Sequence, residues 1–399
     1  MTTTNIFREA IAEPHRFGVS GQAVWSTEKC DQAIEYVLRQ IDRNLEPFAR
    51  QFPAPASVNL IYPAIGNTEW TSSFWTGMLW LAYEVTGEAK YRNTAELQLE
   101  SYKERIEKRI ATGTHDLGFL YSLSCIAAYK LTGNTEAKAI ALQAAELLME
   151  RYFAKAGIIQ AWGNLNNPSQ RGRMIVDCAM NLPLLYWASE MTGDDRYHEA
   201  AERHIRQTAS YLIRGNASTY HTFYMDTETG EPKYGKTAQG YADDSCWSRG
   251  QAWAMYGLPL SYRYTRDAAL LEQAENVTHY YLNRLPADYV CYWDLIFTEG
   301  EEERDSSAAA IAACGMMELA KHLPLTHEHR RLYENAALLT LDSLAARYTS
   351  AARPESNGVL LHAVYGKPLG NGVDECCIWG DYFYFEALVR ARTDWRSYW

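Results

Sequence analysis

The chain has 399 residues, of which 47% are hydrophobic, and its 38 basic and 49 acidic side chains give a formal net charge of −11. A chain of this length can bury a large core, as one big domain or two ordinary ones. The acidic excess is spread without long blocks, which argues against nucleic acid and anionic membranes as partners. Aromatic residues are abundant, with 28 tyrosines and 12 tryptophans. Their flat faces suit sugar rings or other planar ligands.

The N-terminal stretch MTTTNIFREAIAEPHRF lacks the basic segment and apolar core of a secretory signal, and no run of about 20 apolar residues could span a bilayer. We therefore predict a cytoplasmic protein with no membrane partner. The eight cysteines are scattered, apart from the adjacent Cys376 and Cys377, which do not have a zinc-site spacing. Reduced and mostly buried thiols are expected.

In chain order, an N-terminal extension assigned to residues 1–29 precedes a first helix in EKCDQAIEYVLRQIDRNLEPFARQF. A repeating unit follows, in which an amphipathic helix, a Thr-Gly turn and a second amphipathic helix form an αα-hairpin. The Thr-Gly pairs fall at 86–87, 132–133 and 192–193, where glycine supplies the left-handed cap. Looser copies continue to a last helix in WGDYFYFEALVRAR, leaving room for about twelve helices. The best candidate strand or hairpin is ASTYHTFYMDTETG.

Repeated helical hairpins must stack to bury their faces, as an open solenoid or a closed ring. An open solenoid would carry polar capping repeats, whereas the last helix here is strongly aromatic. We therefore predict an all-α fold, a six-hairpin α/α toroid forming a single catalytic domain over residues 30–399. The long loops 160–174 and 214–250 collect Trp, His, Gln and Arg, and we expect them at one mouth of the inner ring.

Asp177 lies within the apolar run GRMIVDCAMNLPLLYW, where burial would raise its pKa and favour a protonated carboxyl. That suits a proton donor. Asp116, in HDLGFLYSLS, opens another buried helix beside His115, whose neutral imidazole could contact a ligand hydroxyl or carboxylate. For each aspartate the alternative is a helix N-cap satisfied by backbone amides.

In WSRGQAWAMYG, Arg249 stands between two tryptophans at the start of a predicted helix. Its guanidinium could bind a carboxylate through two hydrogen bonds. The alternative is a surface ion pair. No cofactor is predicted, because the chain lacks a nucleotide-binding glycine motif or a nucleophile elbow. No metal site is predicted either, because HExxH is missing and HEHRR at 327–331 is expected to be solvent-exposed.

Several segments together resemble the unsaturated glucuronyl hydrolases of glycoside hydrolase family 88, in order from about residue 30 to the C-terminus. They are NTEWTSSFWTGMLWLAYEVTG, HDLGFLYSLS, GIIQAWG, GRMIVDCAMNLPLLYWASE, TYHTFYMD, WSRGQAWAMYG, YWDL, RDSSAAAIAACGMMELA and CIWGDYFYFEAL. The resemblance implies the same six-hairpin barrel. It also implies release of the 4,5-unsaturated uronic acid from oligosaccharides that polysaccharide lyases produce from chondroitin, hyaluronan or heparin.

By resemblance, Asp177 is the catalytic acid/base and Asp116 the second catalytic aspartate. The substrate-binding positions carried over by motif are Trp70, His115, Trp162, His221, Gln239, Arg249 and Trp253. Lys236 and Lys367 are candidates for a sulphate at the pocket rim, with plain solvation as the alternative. Tyr365 and Gly366 stand where small hydroxyls would help a sulphate, which argues against 6-O-sulphate recognition.

Two other functions remain open from the sequence. An unsaturated rhamnogalacturonyl hydrolase would share the barrel and the chemistry but face a rhamnose. A non-catalytic carbohydrate-binding toroid would use both aspartates as helix caps. A third class, the sugar epimerases of similar barrels, would use histidine acid/base pairs, and the order of the motifs argues against it.

Overall fold

A computed structural model describes residues 7–18 and 25–399 of the chain. The predicted extension over residues 1–29 falls partly outside these residues, and the first long helix begins at Thr27. The α-helices are α1 (Thr27–Asn44), α2 (Ser72–Thr86), α3 (Ala89–Glu107), α4 (Leu117–Tyr121), α5 (Ala127–Thr132), α6 (Thr135–Met149), α7 (Cys178–Asn181), α8 (Pro183–Thr192), α9 (Asp195–Gln207), α10 (Ser248–Thr265), α11 (Ala268–Leu282), α12 (Ser306–His322), α13 (Arg330–Ser343) and α14 (Ile378–Arg392).

Short strands lie in the connections that lead from an outer helix to the next inner helix. They are β1 (Phe52–Pro53), β2 (Ala64–Ile65), β3 (Tyr152–Phe153), β4 (Ile158–Ile159), β5 (Arg173–Ile175), β6 (Thr222–Met225), β7 (Pro232–Lys236), β8 (Ala363–Gly366) and β9 (Asn371–Glu375). The strands pair antiparallel as β1-β2, β3-β4, β5-β6-β7 and β8-β9. The predicted strand in ASTYHTFYMDTETG is confirmed as β6.

A wider helical turn over Ser122–Ile126 joins α4 to α5 in one continuous helix, and α7 runs into α8 across Leu182. Similar wide turns, Thr208–Leu212 and Leu344–Tyr348, extend α9 and α13, and 3₁₀ turns occupy Pro14–Phe17, Ser350–Ala352 and Lys367–Leu369. Counted as continuous pieces, the described residues form twelve helices, as predicted.

The inner ring consists of α2, α4–α5, α7–α8, α10, α12 and α14. Each of these helices contacts the next, and α14 contacts α2, which closes the ring. The outer helices α3, α6, α9, α11 and α13 each pack on the inner helix that precedes them, while α1 packs on α14. The predicted six-hairpin α/α toroid is therefore confirmed, with one hairpin assembled from the two ends of the chain.

The three predicted Thr-Gly turns are left-handed helix caps. Gly87, Gly133 and Gly193 have φ angles of 72°, 72° and 73° and donate their N–H groups back to the preceding turn. Because a side chain is strained in this region of φ, glycine lets each inner helix end and its outer partner start within two residues.

Small residues let the inner helices approach one another closely. A Cβ atom at Gly118 of α4 would lie 2.3 Å from the backbone of Asn181 in α7, and one at Gly257 of α10 would lie 2.3 Å from the Cβ of Ala179. Both faces of these helices are buried, because neighbours flank them on either side and the ring interior is filled with side chains.

The inner helices all begin at the same end of the ring. Contacts there join the first residues of α10, α12 and α14: Arg249 pairs with Asp305, and its guanidinium lies 4.9 Å from the ring of Trp379. The opposite end is filled by the C-terminal Trp399, which stacks on Phe383 with ring centroids 6.0 Å apart. In the part of the chain that the structure describes, the ring opens at the N-terminal ends of its inner helices.

All eight cysteines are free and buried, which confirms the prediction of buried thiols. Within the described part of the chain, no helix combines the length and the apolarity needed to cross a bilayer.

Candidate active site

A cavity of about 400 Å³ opens at the mouth of the ring. Most of the residues predicted to form the site line it: Trp70, His115, Asp116, Trp162, Asp177, His221 and Gln239. Depressions of about 810 and 690 Å³ lie at the other end of the ring, around the C-terminal tail, and lack this set of side chains. The cavity of about 400 Å³ at the mouth of the ring is therefore the candidate active site.

One imidazole lies between the two aspartates. His115 Nε2 is 3.2 Å from an oxygen of Asp177 and 3.4 Å from an oxygen of Asp116. The His115 side chain is 2% exposed, while those of Asp116 and Asp177 are 12% and 18% exposed. All three side chains line the cavity, and the two carboxylates are more exposed than the imidazole.

Neither aspartate caps a helix, although each precedes one. The backbone N–H of Phe119, in the first turn of α4, donates to Asn181 Oδ1 at 2.7 Å, so a side chain of the neighbouring helix supplies this cap. Asp116 instead accepts a hydrogen bond of 2.6 Å from the hydroxyl of Thr114. The Asp177 side chain makes no capping bond to α7. The helix-cap alternative is therefore wrong for both residues.

The three-stranded sheet sets the position of Asp177 relative to His221. Asp177 follows β5, and His221 immediately precedes β6, which pairs with β5 in antiparallel register. The Val176 N–H donates to the His221 carbonyl at 3.0 Å, which extends this pairing to the edge of the cavity. His115 is fixed beside an isolated β-bridge between Thr114 and Trp162, because its N–H donates to the carbonyl of Ala161 at 2.8 Å.

The charges around Asp177 reverse the expectation of a raised pKa. Burial by itself raises the pKa of Asp177, but the facing His115, together with His221 and Arg249, outweighs burial and holds the pKa below its usual 3.8. Burial and the nearby Asp177 carboxylate raise the pKa of Asp116. The prediction that the pKa of Asp177 is raised is therefore wrong for the free protein.

The surroundings of His115 favour its protonated form. Burial lowers the pKa of this imidazole, but the two facing carboxylates outweigh burial and raise the pKa above its usual 6.5. A protonated imidazole donates from both ring nitrogens. Nε2 of His115 points between the two carboxylates, whereas its Nδ1 is buried without a hydrogen-bond partner among the described residues. A proton on His115 would lie 3.2 Å from Asp177.

His221 is the second imidazole of the cavity and is neutral, because burial lowers its pKa to about 4. Its Nδ1 lies 2.6 Å from the hydroxyl of Thr222 and its Nε2 lies 3.1 Å from Gln239 Oε1. Since an amide oxygen only accepts, Nε2 carries the proton. The amide nitrogen of Gln239 donates to the Tyr365 carbonyl at 3.1 Å, so Gln239 fixes the orientation of His221.

Tyr365 is a cavity residue that we had not predicted to bind substrate. It lies on β8, and its hydroxyl accepts the indole N–H of Trp70 at 3.0 Å. Its carbonyl accepts from both Gln239 and Arg249. The neighbours of residue 365 in the sequence, a valine and a glycine, do not signal these contacts, which come from segments remote in sequence.

Arg249 and Trp253 lie behind the cavity wall. The Arg249 guanidinium is 1% exposed and donates to the carbonyls of Val364 and Tyr365 while pairing with Asp305 at 3.2 Å. The expectation that the Arg249 guanidinium is free to bind an anion is therefore wrong. Trp253 is buried against Phe119, with ring centroids 5.3 Å apart. Direct contact of either residue with substrate stays a prediction.

The two candidate lysines differ in their surroundings. Lys236 is exposed on β7, outside the cavity lining. Lys367 is paired with Glu302 and Glu303, and its Nζ lies 5.3 Å from the ring of Trp293. Lys367 is therefore already neutralised by two carboxylates, and the plain-solvation alternative is wrong for it.

Among residues 7–18 and 25–399, two groups of three side chains have donor atoms close enough to hold a cation. In the first, one atom each of His115, Asp116 and Asp177 lies within 4.8 Å of the others. In the second, the same holds for Glu275, His327 and His329. The two histidine side chains of the second group are only 26% and 23% exposed, so the expectation that HEHRR is solvent-exposed is wrong for them. The absence of a metal stays a prediction.

Comparison with known proteins decides the family. Residues 49–391 match the model of Glycosyl Hydrolase Family 88. The chain belongs to glycosyl hydrolase family 88. Membership of this family makes the protein a glycoside hydrolase.

Three relatives illustrate how far the similarity extends. The unsaturated chondroitin disaccharide hydrolase of Streptococcus pneumoniae is 47% identical over 98% of each chain. The crystal structure of the unsaturated glucuronyl hydrolase from Streptococcus agalactiae superposes with a TM-score of 0.97 and 45% identity over the whole of both chains. An aspartate-to-asparagine mutant of the S. agalactiae enzyme, complexed with dGlcA-GalNAc6S, gives a TM-score of 0.89 and 42% identity, again over the whole of both chains.

Proposed function

We propose that this family 88 hydrolase releases the 4,5-unsaturated uronic acid from the non-reducing end of oligosaccharides that lyases produce from glycosaminoglycans. The observation that carries the proposal is the His115 imidazole held 3.2 Å from Asp177 at the cavity wall. The names of the relatives support the substrate class, because they act on unsaturated glucuronyl or chondroitin disaccharide substrates.

The reaction that fits this arrangement is hydration of a vinyl ether. Proton transfer to C4 of the unsaturated sugar gives an oxocarbenium-like C5, to which water adds, and the resulting hemiketal collapses and expels the remaining sugar. The glycosidic bond is not attacked directly. One carboxyl can therefore serve first as acid and then as base, unlike the usual hydrolysis in which two carboxyls flank the scissile bond.

Asp177 is the acid/base in this proposal, and His115 supplies its proton. Burial raises the pKa of Asp177, but the facing His115 outweighs burial and favours the ionised carboxylate in the free protein. A substrate that brings its own carboxylate and excludes water adds negative charge beside Asp177 and raises the pKa of its carboxyl. The proton then passes over the 3.2 Å between His115 Nε2 and Asp177, and from Asp177 to C4.

The mouth favours an anionic sugar despite the overall charge of −11. Six inner helices begin there, and a helix N-terminus carries a partial positive charge. Neutral His221, whose ring nitrogens contact Thr222 and Gln239, lines the mouth without adding a charge. Trp70 and Trp162 provide apolar faces for the rings on either side of the reacting bond.

Asp116 contributes to the proposal as the partner that keeps His115 charged. Its carboxylate is one of the two that raise the pKa of that imidazole. The Thr114 hydroxyl fixes its orientation from the side away from His115. In this proposal Asp116 raises the pKa of His115, and Asp177 transfers the proton to C4 of the sugar.

A cytoplasmic location is part of the proposal. It is supported by the eight cysteines, all of them free and buried, because secreted proteins more often pair their cysteines.

The test follows the ultraviolet absorbance of the conjugated double bond with unsaturated disaccharides from chondroitin, hyaluronan, heparin and rhamnogalacturonan. Loss of absorbance with the glycosaminoglycan disaccharides is expected, and the panel ranks them. Loss only with the rhamnogalacturonan disaccharide would replace the substrate class by the rhamnogalacturonyl alternative. No loss with any of them would leave the carbohydrate-binding alternative.

A further inference from the structure

Arg173 lies directly behind the most exposed aromatic wall of the cavity. Its guanidinium carbon is 3.7 Å from the centroid of the Trp162 ring. Trp162 is 45% exposed, whereas Arg173 itself is 8% exposed. One face of the indole is therefore covered by a buried planar cation.

Arg173 is held in place from its other side. It lies on β5 directly opposite Tyr224 of β6, which is directly opposite Tyr234 of β7. Residues paired in this way across adjacent strands share one face of the sheet. Arg173 Nε donates to the Tyr224 hydroxyl at 3.0 Å, and the rings of Tyr224 and Tyr234 stack with centroids 4.9 Å apart. The indole, the guanidinium and the two phenol rings thus form a continuous row.

The same strand anchors the backbone that carries Trp162. The Ala161 N–H donates to the Arg173 carbonyl at 2.9 Å. Arg173 therefore holds this segment through its main chain and the indole through its side chain. Asp177 lies four residues after Arg173 in the chain. The short connection fixes the position of the row relative to the reacting carboxyl.

We propose that Arg173 is a positioning residue for the sugar that leaves: it holds Trp162 as a fixed platform against which the first sugar after the unsaturated uronic acid stacks. The inference rests on the proposed function and assigns a role to a residue that does not itself reach the cavity. A partly exposed indole without this backing would occupy several rotamers, and substrate binding would bear the entropy cost of selecting one. The planar guanidinium suits this position because it stacks on aromatic faces, which the ammonium of lysine does not.

The proposal distinguishes platform binding from chemistry at the uronic acid. Arg173→Gln should raise KM for an unsaturated disaccharide about fivefold to tenfold while kcat changes less than about twofold. The same variant should leave KM unchanged for the methyl glycoside of the unsaturated uronic acid, which has no second sugar ring. Arg173→Lys keeps the charge and much of the packing, and should show most of the same rise in KM.

A double-mutant cycle with Trp162→Ala identifies the path of the effect. If Arg173 acts through the indole, Arg173→Gln adds no further rise in KM once Trp162 is replaced. Arg171→Gln is the matched control. Arg171 lies two residues away, pairs with Glu228 at 2.7 Å and faces Phe153 at 5.1 Å, and its replacement should change neither constant.

Each outcome is decisive. Unchanged KM in both Arg173 variants, an equal effect on the methyl glycoside, or a full additional rise in the Trp162→Ala background would each overturn the proposal. Failure of the unaltered protein to consume any unsaturated disaccharide would overturn the proposed function instead, and the platform role with it. Turnover by the unaltered protein therefore separates the two failures.

Discussion

His115 Nε2 lies 3.2 Å from Asp177 and 3.4 Å from Asp116, so a single buried imidazole joins two carboxylates from neighbouring inner helices. The three groups share their protons, and the charge of each depends on the other two. The positive imidazole keeps Asp177 ionised until a ligand changes the balance. This relationship explains how a carboxyl with a lowered pKa can serve as the acid of the proposed reaction.

Replacing Asp177 by asparagine should abolish turnover without unfolding the protein. The loss of the acid/base group is expected to cost at least about 100- to 10,000-fold in kcat, while the unfolding midpoint stays close to that of the unaltered protein, because the Asp177 side chain caps no helix. The measurement pairs the absorbance assay with urea unfolding. Asp226→Asn is the control: Asp226 accepts backbone hydrogen bonds in the turn between β6 and β7 and should retain activity.

The activity should decline as pH rises through the pKa of His115, which lies above 6.5. Above that pKa the imidazole is neutral, and no proton is available for Asp177. Asp116→Asn removes one of the two carboxylates that raise this pKa, so His115 should lose its proton at lower pH. The alkaline limb of kcat/KM should therefore move to lower pH in the variant. A limb that stays in place or moves upward would contradict the assignment of the proton to His115.

Gly118→Ala should damage both stability and the site. The new methyl group would lie 2.3 Å from the Asn181 backbone, so α4 and α7 would have to separate. Overpacking of this kind costs about 1–3 kcal/mol of unfolding free energy, which urea titration measures. Activity should fall as well, because Asp116 and Asp177 start these two helices. Gly66→Ala is the control, since nothing lies within 4 Å of a Cβ there.

Sulphated disaccharides should be poorer substrates than unsulphated ones, because Lys367 is already paired with Glu302 and Glu303. Replacing both glutamates by glutamine should free the lysine. The ratio of kcat/KM for the 6-O-sulphated over the unsulphated chondroitin disaccharide should then rise about two- to fivefold, the scale of partly exposed ion pairs.

The matched control for that prediction replaces two other glutamates of the same loop. Glu299 and Glu301 are exposed, so Glu299→Gln with Glu301→Gln changes the net charge equally without releasing Lys367. An equal rise in both double variants would mean that overall charge, and not the lysine, governs sulphate acceptance.

The helical ring could be predicted because its signals are local. A Thr-Gly pair after an apolar stripe specifies a cap and a turn whatever lies elsewhere in the chain, and Gly87, Gly133 and Gly193 all have the expected conformation. The positions of Asp116 and Asp177 at helix starts could be predicted for the same reason. The residue that supplies the α4 cap could not, because Asn181 reaches Phe119 from 62 residues away.

Charge states and ligand-facing surfaces depended on contacts that the sequence does not display. The apolar neighbours of Asp177 in the chain indicated a raised pKa, but His115 and Arg249 come from distant segments and reverse the shift. Arg249 was expected to be free, yet the β8 carbonyls and Asp305 occupy its donors. The contacts of Tyr365 with Trp70 and Gln239, and those of Arg173 with Trp162, could not be predicted because they join segments that are distant in the chain.

The most direct test of the central claim is to run the reaction in deuterium oxide and follow the released sugar by NMR. Protonation of C4 by Asp177 predicts one deuterium at C4, in a single configuration, appearing in step with the loss of double-bond absorbance, and neither change with Asp177→Asn. Release of the second sugar while the double bond of the uronic acid stays intact, without deuterium at C4, would show direct cleavage of the glycosidic bond and contradict the account.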